Sequence, residues 1–258
     1  MTVEIENHPH LHLFDRSFMW QYLVIGTFPP NSRVREEKDL FVDYFYGNKG
    51  FFWRILHDIY QPLGFNFLGS DKEERLRQIR MWQEKFRVGI SDTVHSCSRK
   101  QIKSPDDADL RIVKYNLELK DYLLNEGRSV RKIIFTSSSG KNSAYANFKL
   151  IMGEDIMKIN DKLVTGLPSP SGSANINFFN SDDELTLGLQ KDFFAYVSEY
   201  HPDALDELAH RWAQKKHRKA QPPELRDSVV VKSAPRGLVK AYKIWKYSQV
   251  FPRSTESE

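Results

Sequence analysis

The amino-acid sequence predicts an α/β protein of three layers, with a central, mostly parallel four-stranded sheet flanked by helices. Two observations lead there. Four short apolar runs read as buried strands, and segments with helical spacing separate them. Strands that alternate with helices pair in parallel and are covered on both faces.

The first strand is Tyr22-Leu23-Val24-Ile25, ending in the loop Gly26-Thr27-Phe28-Pro29-Pro30. Phe51–Tyr60 places Phe52, Ile55, Leu56 and Ile59 on one face and reads as a helix. Lys72–Phe86 is a second helix, charged on one side, and Val88-Gly89-Ile90-Ser91 is a strand followed by Asp92. Ala108–Asn125 reads as a helix stopped by Gly127. Lys132–Thr136 is a strand running into Ser137-Ser138-Ser139-Gly140, and Asn142–Met152 is a helix. Leu163-Val164-Thr165 is the fourth strand and leads to Leu167–Asn175. Farther on, Asp183–Lys216 is mainly helical with a break at His201-Pro202, and Gln221-Pro222-Pro223 is a linker. Val229–Val231 is a short strand or the edge of an insertion. Gly237–Phe251 is a last helix with Lys240, Lys243 and Lys246 outside. The expected organisation is one α/β domain over 1–200 and a basic extension over 201–258 whose last helix packs on that domain.

A chain of 258 residues can bury a full core. Its apolar stretches are strand-sized, so no membrane span is expected. Met1-Thr2-Val3-Glu4 lacks a basic and then apolar signal region, which points to an intracellular protein. Cys97 is the single cysteine, excluding an internal disulfide, a cysteine-based zinc site and a four-cysteine iron–sulfur cluster. His8-Pro9-His10-Leu11-His12 has metal-ligand residue types, but Pro9 forbids a regular helix and no nearby carboxylate completes a set. It reads as an irregular segment. The net charge of +4 is uneven: residues 201–258 hold 12 Lys and Arg against 7 Asp and Glu. A basic tail on a near-neutral body suits a polyanion, or is a plain solvated surface.

The strand-end loops carry the chemistry, because open α/β sheets bind ligands outside the carboxyl ends of their strands. None is a Walker loop, and Ser139-Gly140-Lys141-Asn142 is only a faint echo of one. No Gly-x-Gly-x-x-Gly follows the first strand, and no Gly-x-Ser-x-Gly elbow is present.

Taken in order, these loops resemble the uracil-DNA glycosylase superfamily, from about Leu23 to Asn175. Gly26–Pro30 is similar to its first motif, a Gly-x-x-Pro loop after strand one. Pro168-Ser169-Pro170-Ser171 is similar to its second, a Pro-Ser-Pro loop after the last strand. Phe45–Trp53 looks like the aromatic and Phe-Trp pattern of the mismatch-specific and hypoxanthine-DNA branches. The resemblance implies an uracil-DNA glycosylase-like fold and a monofunctional DNA glycosylase of base excision repair. It would flip a deaminated or damaged base, uracil or hypoxanthine, and leave an abasic site. The implied partner is damaged or mismatched DNA, single- or double-stranded, bound by a monomer without metal or organic cofactor. Three positions depart from the family. Phe28 stands where an acid or amide orients water, Leu167 where a histidine often stabilises the departing base, and Thr136 or Ser137 where an asparagine reads it.

Glycosidic hydrolysis still needs a group that holds water and stabilises positive charge on the sugar. Asn31 or Asp92 could supply it; Asn31 is otherwise a turn residue and Asp92 a loop cap. Within the resemblance, Gly26, Thr27, Phe28, Phe45, Thr136, Ser137 and Ser138 form the base pocket, with Phe45 stacking on the base and Phe52 and Trp53 in the core. Pro168, Ser169, Pro170, Ser171, Ser173, Asn175 and Lys141 would meet the DNA backbone, with Arg99, Lys100 and Lys103 adding charge. Two alternatives stay open: a DNA-binding module of the same fold with weak or lost catalysis, and a different α/β hydrolase or nucleotide-binding enzyme with a chance Pro-Ser-Pro.

Overall fold

The computed structural model describes residues 4–30, 40–101, 104, 106–171, 191–203, 206, 210 and 236–254. It divides into two compact units, Met1–Ser171 with Val250–Glu258, and Gly172–Gln249. Asn31, Ser173, Asn175, Lys103, the linker at 221–223 and Val229–Val231 lie outside the described residues. Among the described residues no helix is long and apolar enough to cross a membrane.

The first unit is built on a four-stranded parallel sheet flanked by helices. Its strands are β2 (Tyr22–Gly26), β3 (Val88–Asp92), β6 (Lys132–Phe135) and β7 (Leu163–Val164), in the order β3-β2-β6-β7. Every pairing is parallel. The central strand β2 is buried at all five positions, which is why its sequence is an unbroken apolar run rather than an alternation. One face presents Leu23, Ile25, Ile133 and Phe135 to α3 (Leu117–Asp121) and α4 (Ala144–Met152), through Leu119, Phe148 and Met152. The other face lies under α1 (Phe51–Tyr60) and α2 (Lys72–Phe86), where Trp53, Tyr60, Phe67 and Trp82 pack edge to face. Phe251 joins this cluster beside Phe52 and Trp82, and Tyr60 Oη donates to the carbonyl of Pro252.

Local chemistry sets the helix ends. Asp71 caps α2 by accepting from the Glu74 N–H at 2.8 Å, with Glu73 and Glu74 in the first turn. Ser143 caps α4 by accepting from the Ala146 N–H.

One segment departs from the expected pattern. The chain expected to be helical over 108–125 instead forms β5 (Leu110–Tyr115) before the short α3. β5 pairs antiparallel with β4 (Val94–Arg99), which pairs with β1 (Glu6–Asn7). Leu110 and Ile112 alternate inward onto Val94 and Cys97, so period-two packing on β4 overrides the local helical spacing.

The second unit contains α5 (Lys191–Tyr200) and α6 (Arg236–Ser248), joined by Phe193 against the rings of Tyr242 and Trp245. Lys243 is buried rather than outside, because it lies one turn before buried Tyr247; burial lowers its ammonium pKa to about 8.

The aromatic cluster under α1 and α2 anchors the sheet. Trp82→Ala should cost about 3–5 kcal/mol in urea denaturation. An unchanged midpoint would contradict that role.

Candidate functional site

The strand order creates the site. The crossover from β2 to β3 runs through α1 and α2 on one face, and that from β6 to β7 through α4 on the other. Adjacent strands whose connections diverge leave a crevice at their carboxyl ends. Here that switch point lies between Gly26-Thr27 after β2 and Thr136-Ser137 after β6.

Asp92, the last residue of β3, lies level with Gly26. Its side chain is 8% exposed, and its Oδ2 lies 2.7 Å from Nε2 of His8, whose side chain is 1% exposed. The backbone N–H of His10 donates to Nδ1 of His8 at 3.0 Å. That bond needs a lone pair on Nδ1, so Nε2 carries the proton and donates it to Asp92. Asp92 Oδ1 is buried and has no hydrogen-bond partner among the described residues. A Cβ built on Gly26 would stand 2.2 Å from this oxygen and 2.5 Å from Tyr46 Oη, so only glycine leaves room for both. Asn116 steadies the turn by donating from Nδ2 to the Asp92 carbonyl at 2.9 Å.

The opposite wall comes from the loop Asp43–Gly47. The Trp53 indole N–H donates to the Phe45 carbonyl at 2.9 Å and anchors it. Tyr46, at φ 57°, stacks on Phe52 and brings its hydroxyl 3.1 Å from Thr136 Oγ1. Phe45, expected to stack on a base, is 2% exposed and lies against His8, His10 and Tyr44. Phe28 keeps partial exposure, with its ring edge-on to His8 at 5.3 Å.

On the far side of the loop, Thr27 Oγ1 lies 2.9 Å from Asp107 Oδ2 and 3.4 Å from Ser137 Oγ. Burial, aided by the nearby Asp92 and Asp106, pushes the Asp107 carboxyl up to about 7 against the opposing Thr27 hydrogen bond. Ser137 Oγ accepts from the Ala144 N–H. Ser138 Oγ accepts from Gly166 N–H at 3.1 Å, linking this loop to the one that carries Pro168, Ser169, Pro170 and Ser171. Leu167 is buried, the two prolines and Ser169 are half-buried, and Ser171 and Lys141 are exposed.

Arg99 is not a surface cation. It is 3% exposed, pairs with buried Glu6, and donates to the carbonyls of Pro29 and Ser104. It thereby ties β1 to the loop after β2, and β1 leads directly into His8.

The structure thus gathers Gly26, Thr27, Phe28, Asp92, Thr136 and Ser137 around one crevice. Sequence reasoning missed the roles of His8, Tyr46 and Asp107, and read Arg99 as groove charge rather than a buried tie. His8 lies in the segment read as irregular, and its only sequence signal was residue type. Asp107 precedes what looked like a helix. Both arrive through the antiparallel sheet, which was not foreseen.

No family model matches the chain, and no curated protein matches it. Among solved structures, the chain is similar to the solution NMR structure of a "putative Uracil DNA glycosylase" from Methanosarcina acetivorans. The match has 21% identity and a TM-score of 0.38, over 66% of this chain and 87% of that one. A likeness of this size leaves the chemistry to be read from the chain's own residues.

Two substitutions test the architecture. Gly26→Ala should cost about 1–3 kcal/mol, since its methyl displaces Asp92 and Tyr46. Arg99→Ala should cost about 3–5 kcal/mol by taking the buried cationic partner away from the Glu6 carboxyl. Both are read by denaturant unfolding, and midpoints equal to the parent's would contradict the packing described.

Proposed function

We propose that this protein is a monofunctional DNA glycosylase that flips a deaminated or damaged base, uracil or hypoxanthine, and hydrolyses its N-glycosidic bond. The observation that carries this reading is the buried Asp92 carboxylate at the switch-point crevice. One oxygen is held by His8, and the other is unpartnered above Gly26.

Base removal proceeds through a sugar cation. In this reading Asp92 Oδ1 accepts a hydrogen bond from the attacking water and faces the positive charge growing on the sugar. As the C1′–N bond breaks, its electron pair leaves with the base. The water oxygen bonds C1′, and the water's proton passes to Asp92. His8 is a positioning residue that fixes the carboxylate rotamer. Asn31 stays a second candidate for holding water. Phe28 offers the accessible ring for base stacking, with Phe45 behind it as the support for His8. Backbone and hydroxyl groups of Thr27, Thr136, Ser137 and Ser138 meet the base edge. The loop Pro168–Ser171, with Ser173 and Asn175, and the exposed Lys141 contact phosphates. The basic segment 201–258 adds sequence-independent charge.

Base release is measured on oligonucleotides carrying uracil, hypoxanthine, xanthine or mismatched thymine, read by alkaline strand cleavage. One lesion should be cleaved. Asp92→Asn should then slow single-turnover release by about 10²–10⁴-fold with duplex affinity kept, and His8→Ala should slow it less. DNA binding without release of any base would favour the non-catalytic binding module.

Charge on α6 gives a separate outcome. Lys246 lies over the rings of Trp245 and Tyr242, and Lys240 is exposed. Replacing both by Ala should lower the slope of log affinity against log salt by about 1 for each phosphate no longer neutralised. An unchanged slope would make α6 a plain surface.

A further inference from the structure

The departing base takes the bonding electron pair and leaves most easily if a proton meets it. Asp92 is committed to the opposite task, because it must receive the water's proton. Leu167, in the loop after β7, is apolar and buried, so it has no proton to give. A donor has to come from another element at the crevice.

We infer that Asp107 is a second catalytic carboxyl of this site, the acid that delivers a proton to the departing base. This rests on the glycosylase reading above. The geometry carries it. Asp92 and Asp107 reach the same two-residue loop from different elements, Asp92 standing over Gly26 and Asp107 hydrogen-bonded to Thr27. Asp107 begins a single helical turn between β4 and β5, and Asn142 pins that turn. Its Nδ2 donates to the carbonyls of Asp107 and Leu110 at 3.0 and 2.9 Å. Asp107 Oδ2 is held by Thr27, Oδ1 bonds no other described residue, and the residue keeps part of its surface exposed although its carboxyl is largely desolvated. One oxygen is therefore fixed by Thr27, and the proposal gives the other the proton that the base receives.

The charges facing Asp107 favour its protonated form. Asp92 at the end of β3 and Asp106 beside it repel a second negative charge. Arg99 on β4 opposes them, but is itself paired with Glu6. With burial the dominant cause, the carboxyl keeps its proton up to about pH 7. A carboxyl that holds its proton, beside a second carboxyl that can receive the water's, can divide the acid and base roles of one hydrolysis.

The step balances. Asp107 gives its proton to the base nitrogen as that atom takes the C1′–N electron pair. Water adds to C1′ and gives its proton to Asp92, and solvent exchange restores both groups. Thr27 is a positioning residue that aims the acid. With Asp107 protonated, Thr27 accepts from it and is free to donate to Ser137. With Asp107 ionised, Thr27 donates to it instead.

The test is single-turnover release of uracil and of 5-fluorouracil from matched oligonucleotides between pH 5 and 9, for the parent and Asp107→Asn. 5-Fluorouracil leaves readily without a proton and needs the acid less. The parent's uracil rate should be high below pH 7 and fall as pH rises through it. Asp107→Asn should lose that alkaline limb and slow uracil release by at least about 10²-fold, with a smaller loss for 5-fluorouracil and unchanged duplex affinity. Equal losses for both bases, or a retained limb in the variant, would overturn the assignment and leave the glycosylase reading standing. A parent that releases neither these bases nor any other lesion would sink both.

One measurement does not depend on the variant's folding. Asp107 binds its proton more tightly folded than unfolded, so its stabilisation is complete below the unfolded carboxyl's pKa near 3.8 and lost as pH rises through about 7. Carbon-detected NMR titration of the parent's Asp107 carboxyl should show a midpoint near 7; a midpoint near 4 would overturn the proposal.

Discussion

A carboxylate taken out of water must be hydrogen-bonded, or it gives up its charge. At Asp92 the chain meets half of that requirement. His8 satisfies one oxygen, and the other is buried with no partner among the described residues. Removing His8 would leave both oxygens without a side-chain donor, and a side chain on Gly26 would fill the space Oδ1 occupies. Much of the surrounding architecture can be understood as holding these three residues in register.

The antiparallel sheet has a specific part in this arrangement. β1 is only two residues long, yet its pairing with β4 brings the N-terminal segment across the end of the parallel sheet. The buried Arg99–Glu6 pair locks β1 to the loop after β2, and the His8 N–H bonds the His95 carbonyl on β4. The turn that carries Asp107 connects two strands of the same sheet. A histidine from the chain's start and an acid from its middle thus approach the first-strand loop from different directions. The parallel sheet supplies the crevice, and the smaller sheet supplies side chains at its rim.

The central strand was legible because full burial on both faces leaves the unbroken apolar run Tyr22–Ile25, and β6 because Ile133–Phe135 is buried behind the exposed Lys132. The loops were legible because glycine, proline and serine mark strand ends. Leu110–Tyr115 was not, since its apolar spacing also fits a helix and only its pairing with β4 decides. Asp92 could be nominated from its place after a strand, but its partner could not. His8 lies 84 positions away, and no local pattern encodes that hydrogen bond. Phe45 shows the opposite case: an aromatic type in the expected segment whose burial only tertiary packing reveals. Arg99, read as surface charge, is instead buried against Glu6.

The central claim is that Asp92 Oδ1 holds the water that attacks the sugar. The most direct measurement is a high-resolution crystal structure of the protein on DNA carrying a cationic aza-sugar at an abasic position. An ordered water should lie within hydrogen-bond distance of Asp92 Oδ1, on the face of the sugar opposite the departed base, with His8 still bonded to Oδ2. A sugar held away from Asp92, or a water fixed by other residues while Oδ1 stays unpartnered, would contradict it.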